Sequence, residues 1–377
     1  MAGIYLHIPF CKRRCIYCDF FSSVDNTWRD KYIEALCREL EMRRAYIGGE
    51  QVETIYIGGG TPSLLTWQEL DRIFSCIYKV YDVTEDAEVT LETNPDDLSI
   101  SYVKALRKTS PVNRISMGVQ TFDDNRLRFL QRRHTSAQVI EVVNRCREEG
   151  FENISIDLIY GLPGETLVEW ESDLHVAIDL GVPHLSAYSL TYEEGTILWR
   201  MREEGLVYET DEELSAQMYF RLVNCLIEKG YEHYEISNFC LPGMQSRHNS
   251  SYWKGIPYIG CGAAAHSYDG CSRQWNVASI PCYIKGIVEE KPVIEREVLN
   301  LYTRYNDFLV TRLRTRWGID LHLLRMEFGQ QLYAYCLRMA RRHINQGLLC
   351  MEDYNLRLTN KGVFISDSII CDLLWCE

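Results

Sequence analysis

No stretch of this chain approaches the ~20 consecutive apolar residues of a membrane-spanning helix, so none of its 377 residues is expected to cross a bilayer. Positive charge is also in short supply. Lys and Arg total 40 against 53 Asp and Glu, a formal net charge of −13. A general nucleic-acid or anionic-membrane surface needs clustered cations, so both partner classes are set aside. The local basic stretches, Arg312 to Arg316 and Arg338 to Arg342, read as solvated helix faces or carboxylate anchors. A basic n-region with an apolar h-region is missing, as are tandem repeats and low-complexity tracts. Cysteine is the exception to this list of shortages, with 15 in the chain. The twelve outside the amino-terminal segment are scattered without C-x2-C pairing, and packing is their default role. The expectation is a cytoplasmic protein whose thiols stay reduced.

What stands out is Cys11-Lys12-Arg13-Arg14-Cys15-Ile16-Tyr17-Cys18. It follows Ile4-Tyr5-Leu6-His7-Ile8, a strand-like run that stops at Pro9. Three thiols therefore leave a strand end together at C-x3-C-x2-C spacing. Thiolates select zinc, Cu(I) or iron–sulfur clusters. Structural zinc is closed by four ligands, whereas three cysteines on a four-iron cubane leave one iron open. On spacing alone, three readings stay open: an iron–sulfur site, a Cys3His zinc site completed by His7, and three buried thiols.

Beyond this loop, strand and helix alternate. Strands are expected at Val52 to Ile57, Val89 to Glu92, Arg114 to Val119, Ile154 to Ile159 and His184 to Leu190. Helices fall between them, including one opened by the capping box Thr66-Trp67-Gln68-Glu69, one over Ala137 to Glu149 and one over Leu167 to Leu180. A second capping box, Thr210-Asp211-Glu212-Glu213, should start a helix to Lys229. Six strand–helix units in order imply parallel strands with right-handed crossovers, an α/β sheet or open barrel. Three segments are expected: 1–235, the α/β unit; 236–294, rich in glycine and aromatics; and 295–377, a small helical, winged-helix-like unit. The acidic balance makes the last a lid or docking module rather than a DNA reader.

Ligands of parallel α/β architectures gather at the carboxyl ends of the strands. Gly58-Gly59-Gly60-Thr61 follows the second strand, Glu92 ends the third, Gln120 the fourth, Arg132 lies on the next loop, and Asp157 is near the end of the fifth. An amino acid joined to a nucleoside needs carboxylates for ribose hydroxyls and ammonium, and an arginine fork for its own carboxylate. This series answers that need, although each residue alone could be an ordinary strand-end polar group.

Strand followed by C-x3-C-x-aromatic-C resembles the radical S-adenosylmethionine (SAM) enzymes. Tyr5-Leu6-His7-Ile8-Pro9-Phe10-Cys11 and Gly58-Gly59-Gly60-Thr61-Pro62 narrow the resemblance to the oxygen-independent coproporphyrinogen III oxidase-like family. The resemblance implies a partial (β/α)6 barrel, with a 4Fe–4S cluster on Cys11, Cys15 and Cys18 whose fourth iron is chelated by SAM. It implies SAM contacts at Tyr5, Tyr17, Gly59, Gly60, Thr61, Glu92, Gln120, Arg132 and Asp157. It further implies one-electron cleavage of the sulfonium and hydrogen abstraction by a 5′-deoxyadenosyl radical, with the electron supplied by a flavodoxin- or ferredoxin-type donor.

Three departures favour the family's haem-chaperone branch. The oxidases carry a further cysteine where this chain has Phe20, and a long extension before the cluster. Arg247-His248-Asn249-Ser250-Ser251-Tyr252-Trp253 contains the H-N-x-x-Y-W motif of the chaperones. The resemblance then implies haem as cargo at His248, Asn249, Tyr252 and Trp253, with His248 as an axial imidazole and the aromatics against the macrocycle. His266, beside a glycine-rich turn, is a second candidate, and His7 reads as structural. Partners would be haem and haem-accepting respiratory proteins. The alternatives are SAM-dependent oxidative decarboxylation of coproporphyrinogen III, which makes oxidase activity an open question, and a non-enzymatic zinc protein.

Overall fold

The computed structural model describes residues 1–376. Six parallel strands hydrogen-bond in chain order: β1 (Ala2–Ile8), β2 (Val52–Gly59), β3 (Val83–Thr93), β4 (Arg114–Gln120), β5 (Asn153–Tyr160) and β6 (His184–Ser189). The crossovers are α1 (Arg29–Met42), α2 (Trp67–Val80), α3 (Ile100–Thr109), the pair α4 (Asp124–Phe129) and α5 (Ser136–Glu148), and α6 (Leu167–Asp179). Capping boxes at Thr66, Thr135 and Thr166 open α2, α5 and α6.

Register carries one alternation across all six strands. Ile4 pairs with Ile55, Ile55 with Val89, and Ile115 with Ile154, so an apolar row faces the helices. The intervening row reads Tyr5, Tyr56, Thr90, Arg114 on one level and Glu92, Ser116, Ser155, His184 on the next. Alternate residues of a strand point to opposite faces. The outer face thus builds the main core with the helices, and the inner face is polar. A barrel lined in this way is shaped to hold a ligand rather than to fill itself with branched side chains.

The barrel does not close. After α7 (Ile197–Glu203) and α8 (Glu212–Glu228), β7 (Glu232–Glu235) and β8 (Asn238–Cys240) extend the sheet antiparallel beyond β6. Beyond helix α9 (Arg247–Trp253), β9 (Tyr258–Cys261) adds parallel to β1. The hairpin β10 (His266–Tyr268) and β11 (Ser272–Asn276), helix α10 (Ile280–Val288) and strand β12 (Ile294–Val298) complete a twelve-stranded sheet. Glu39 of α1, fully buried, ties this extension down. Its carboxylate accepts from Gly262 N–H (2.8 Å), Asn276 Nδ2 (2.8 Å) and Tyr283 O–H (2.7 Å), and pairs with Arg43 (2.9 Å). A buried charge is tolerated only when satisfied in this way.

The remaining elements are α11 (Leu301–Leu313), β13 (Ile319–Asp320), α12 (Leu321–Asn345, interrupted at Gly329), β14 (Leu349–Glu352), β15 (Asn355–Leu358), α13 (Asn360–Val363) and α14 (Ser366–Leu373). They enclose a second core around Tyr305, Leu309, Leu332, Leu356 and Ile370. The architecture is a partial (β/α)6 barrel with a small C-terminal helical domain bearing a three-stranded sheet.

Two expectations are corrected. The Thr210 capping box does not form: Asp211 is the N-cap, accepting from Leu214 N–H, while Thr210 Oγ1 donates to Gly161 O (3.1 Å). The third strand starts at Val83, well before the expected Val89: Val83 pairs with Val52, and the polar Thr84-Glu85-Asp86 fall in a register break before pairing resumes at Glu88.

Candidate functional site

The cysteine loop springs from the end of β1 and is pinned at its middle. Ile16 is buried with Leu130, Ile159, Leu162 and Leu198, its N–H donates to Leu130 O (3.4 Å), and its carbonyl accepts from Leu198 N–H (2.9 Å). With Ile16 fixed, Cys11, Cys15 and Cys18 line one cavity of about 470 Å³ at the carboxyl ends of the strands. Thr61 Oγ1 lies 3.5 Å from Cys11 Sγ, and Arg132 Nη1 lies 3.5 Å from Cys15 Sγ.

The same cavity collects Tyr17, Gly59, Gly60, Thr61, Glu92, Gln120, Arg132 and Asp157. Gly59 adopts φ +113°, and a Cβ there would meet the His7 ring at 2.7 Å, so no side chain fits. Its N–H instead donates to Glu92 Oε2 (3.0 Å), while Tyr56 O–H donates to Oε1 (2.7 Å). Gln120 is delivered by a bulge in β4 and holds φ +72°, a left-handed conformation rare for a side-chain-bearing residue. Arg132 Nη2 donates to Asn94 Oδ1 (2.6 Å) and Gly118 O (2.5 Å). Its Nε is buried without a partner, as is Nε of Arg114, which is 1% exposed on the inner face. Orphaned buried donors are costly and mark a place where a ligand's acceptor belongs.

The electrostatics follow from burial. Desolvation, against the Tyr56 hydrogen bond and reinforced by Asp157, pushes the Glu92 carboxyl up to about 7. Burial likewise raises Asp157 to about 6, against the Ser186 hydroxyl and the Arg114 charge. Both carboxylates are held ready for cationic or hydroxyl partners that would lower them again.

Among the described residues, no three His, Cys, Asp or Glu side chains converge closely enough for a single metal ion. His7 cannot complete a zinc site. Its Nε2 lies 2.8 Å from Phe21 O and its Nδ1 3.0 Å from Tyr5 O–H. A three-cysteine loop that does not close on one ion, open on one side to a cavity, suits a larger cluster with a vacant corner. A second groove of about 740 Å³, outside the barrel near Arg126 and Tyr208, has no thiol or imidazole in its lining.

Five expected residues lie elsewhere or apart. Tyr5 is not in the cavity wall; it stands behind Tyr56, ring centroids 6.2 Å apart. The H-N-x-x-Y-W residues occupy α9, where successive side chains diverge. Asn249 reaches the cavity. His248 turns inward and is 1% exposed, with Nδ1 2.8 Å from Thr54 Oγ1 and Nε2 2.7 Å from Tyr252 O–H. Its ring stacks on Tyr56 at 5.1 Å, and burial followed by the Arg114 charge lowers its pKa to about 3. Trp253 faces away, toward Arg314 of the C-terminal domain (5.7 Å). The four do not share one surface, so an open His248 with both aromatics against one macrocycle is not the arrangement found.

Several site residues went unread in the sequence: Tyr56, Asn94, Arg114, Ser116 and Ser186 all line the cavity. Arg114 carried a usable signal, a charge at the head of the otherwise apolar Ile115-Ser116-Met117-Gly118-Val119. Asn94, which joins Thr61 to Arg132, carried none beyond following a strand.

Residues 5–177 match the radical SAM superfamily profile, and residues 299–365 match the HemN C-terminal domain. The chain is 38% identical to the heme chaperone HemW of Lactococcus lactis, covering 97% of this chain and 95% of that protein. It is 34% identical to the heme chaperone HemW of Bacillus subtilis, with 98% of each covered. Among solved structures, the coproporphyrinogen III oxidase HemN of Escherichia coli superposes with a TM-score of 0.86 at 22% identity, over 99% of this chain and 89% of that one, a shared fold. A partial barrel with three cysteines over a polar cavity, and relatives matched along almost their whole length, lead to one assignment: the chain belongs to the radical SAM superfamily and, within it, to the HemW-like branch, whose membership implies a 4Fe–4S cluster and SAM.

Proposed function

We propose that this protein is a haem chaperone of the radical-SAM type, which binds haem and transfers it to acceptor proteins such as respiratory haem proteins. The observation that carries this reading is the cysteine-roofed cavity in a chain whose relatives over nearly full length are named heme chaperones. Cys11, Cys15 and Cys18 would hold the cluster. Arg132 would fork the SAM carboxylate, Gly59, Gly60 and Thr61 would take its amino group, and Glu92 and Asp157 its ribose and ammonium hydrogens. Gln120 and Tyr17 flank the same volume, and Tyr5 supports Tyr56 from behind. When bound, the reduced cluster supplies the electron that opens the sulfonium. The chain's own residues bind, orient and exclude water.

The electron donor would be a flavodoxin- or ferredoxin-type protein, and the compartment the cytoplasm; no helix among the described residues is long and apolar enough to cross a membrane. We divide the chain into a barrel (1–235), a linking segment with α9 (236–294) and a C-terminal docking unit (295–377). In this division α9 positions Asn249 inward and seats Trp253 against the docking unit. Haem ligation by His248 would require α9 to swing out.

The test is anaerobic reconstitution with iron and sulfide, haemin titration, and transfer to an apo-haem protein followed by its Soret band. Haem uptake and handover are expected. Robust protoporphyrinogen formation from coproporphyrinogen III, SAM and reductant would replace this reading with the oxidase one.

A further inference from the structure

The inner face of the sheet continues past β1 onto β9, β10 and β11, where Tyr252 of α9 packs on Tyr258 and Asp307 of α11 pairs with Arg273. Tyr5 pairs with Gly260 and Gly3 with Tyr258. Tyr258 pairs in turn with Tyr268, Tyr268 with Arg273, and His266 with Trp275. In-register partners share a face, so His266, Tyr268, Trp275 and Arg273 prolong the ligand-facing row of the barrel.

Nine histidines are present in the chain. Among the described residues only His175, His266 and His322 are exposed. His175 lies on the outer helix α6, and His322 opens α12 against Tyr354 in the C-terminal domain. His266 alone stands on the inner face. Neither of its ring nitrogens has a hydrogen-bond partner among the described residues, and its ring is stacked on Trp275 (5.7 Å, 22°). This is the reverse of His248, whose two nitrogens are both occupied.

Resting on the chaperone reading, we infer that His266 is the axial ligand of the cargo haem, bound at the open side of the barrel on β10 and β11. An imidazole on iron stands edge-on to the macrocycle, so a partner stacked on its face fixes its rotation without blocking the metal. Trp275 has that position. The backbone beneath is closely packed: a Cβ at Gly260 would lie 1.9 Å from His266 O, and Glu39 holds the neighbouring Gly262 and Asn276. Arg304 of α11, which makes no ion pair among the described residues, lies near enough for its charge to act on Tyr268, and offers a counter-charge to a propionate. Arg273 is already paired with Asp307 and Glu297. His7 of β1, packed on Phe21 just past the cluster loop at 6.2 Å, lies two strands from His266 in the same sheet, so the site borders that loop.

The full-length, cluster-loaded protein is titrated with haemin and, separately, with metal-free protoporphyrin, in parent, His266→Ala, Trp275→Leu and His248→Ala forms. The expected result for His266→Ala is a shifted Soret band and haemin affinity weaker by about tenfold or more, with protoporphyrin binding unchanged, because only the metal needs the imidazole. Trp275→Leu should weaken haemin by less, since it removes the stack and leaves the ligand. A His266→Ala protein with the parent's Soret band and affinity would overturn the site while leaving the chaperone reading intact. A parent that takes up no haemin would overturn both.

Discussion

The cysteine loop and helix α9 hold the two most specific motifs in the chain, yet they relate oppositely to open space. The loop turns its three thiols onto a cavity whose lining has unpaired buried donors at Arg132 and Arg114. Helix α9 turns its histidine into the protein, against Thr54, Tyr56 and Tyr252. One motif is a set of thiols turned to open space; the other is already satisfied from within. A motif therefore identifies a branch of a family without fixing whether its residues touch the ligand or hold the frame.

This contrast can be broken most severely at the loop. Replacing any of Cys11, Cys15 or Cys18 by Ala should abolish the cluster, read as loss of iron, acid-labile sulfide and the charge-transfer absorption, with the fold retained by circular dichroism. A brown variant with full iron content would place the cluster elsewhere. Next in size is Arg132→Lys, which keeps the charge and loses the planar fork. SAM affinity of the cluster-loaded protein should fall by about tenfold to a hundredfold by calorimetry.

On the other side of the comparison, His248→Ala should act on stability. It leaves the Thr54 and Tyr252 hydroxyls unpaired in the interior and opens a small void, which together cost about 3 kcal/mol in chemical denaturation. Haemin affinity should be unchanged. A variant that unfolds normally but loses haem would dissolve the distinction between the two motifs.

The last expected effect is a pH dependence. Glu92, about 7, and Asp157, about 6, are raised above their ordinary values. The native state therefore holds protons that the unfolded chain has released, and stability falls as pH rises through the window between the ordinary carboxylate range and about 7. Above it the penalty is complete. Glu92→Gln removes the larger share, so apo-protein unfolding should favour the variant at about pH 8 and lose that advantage toward about pH 5. An advantage independent of pH would show that Glu92 is not the group responsible.

Much of the site was legible because its residues stand at strand ends, where the chain order of strands becomes spatial order. Glu92, Gln120, Arg132 and Asp157 could be read one strand at a time without knowing how the barrel curves. The state of His248 could not. It depends on Thr54 from β2 and on Glu88 from β3, whose carboxylate accepts from the Arg247 and His248 amides (3.0 Å each) at the head of α9. Thr54 lies 194 residues from His248 in sequence and Glu88 160, and nothing local announces either. The exposure of His266 was equally hidden, since it follows from the barrel stopping short of closure.

Gln120 has a consequence for engineering. Its left-handed backbone costs on the order of 1–3 kcal/mol, which glycine would not incur. Selection for heat resistance alone would accordingly favour Gln120→Gly, and the hardier protein it returned would have discarded one of the side chains lining the cysteine-roofed cavity. Thermostability campaigns on this scaffold should hold position 120 fixed and look for their gains on the outer helices.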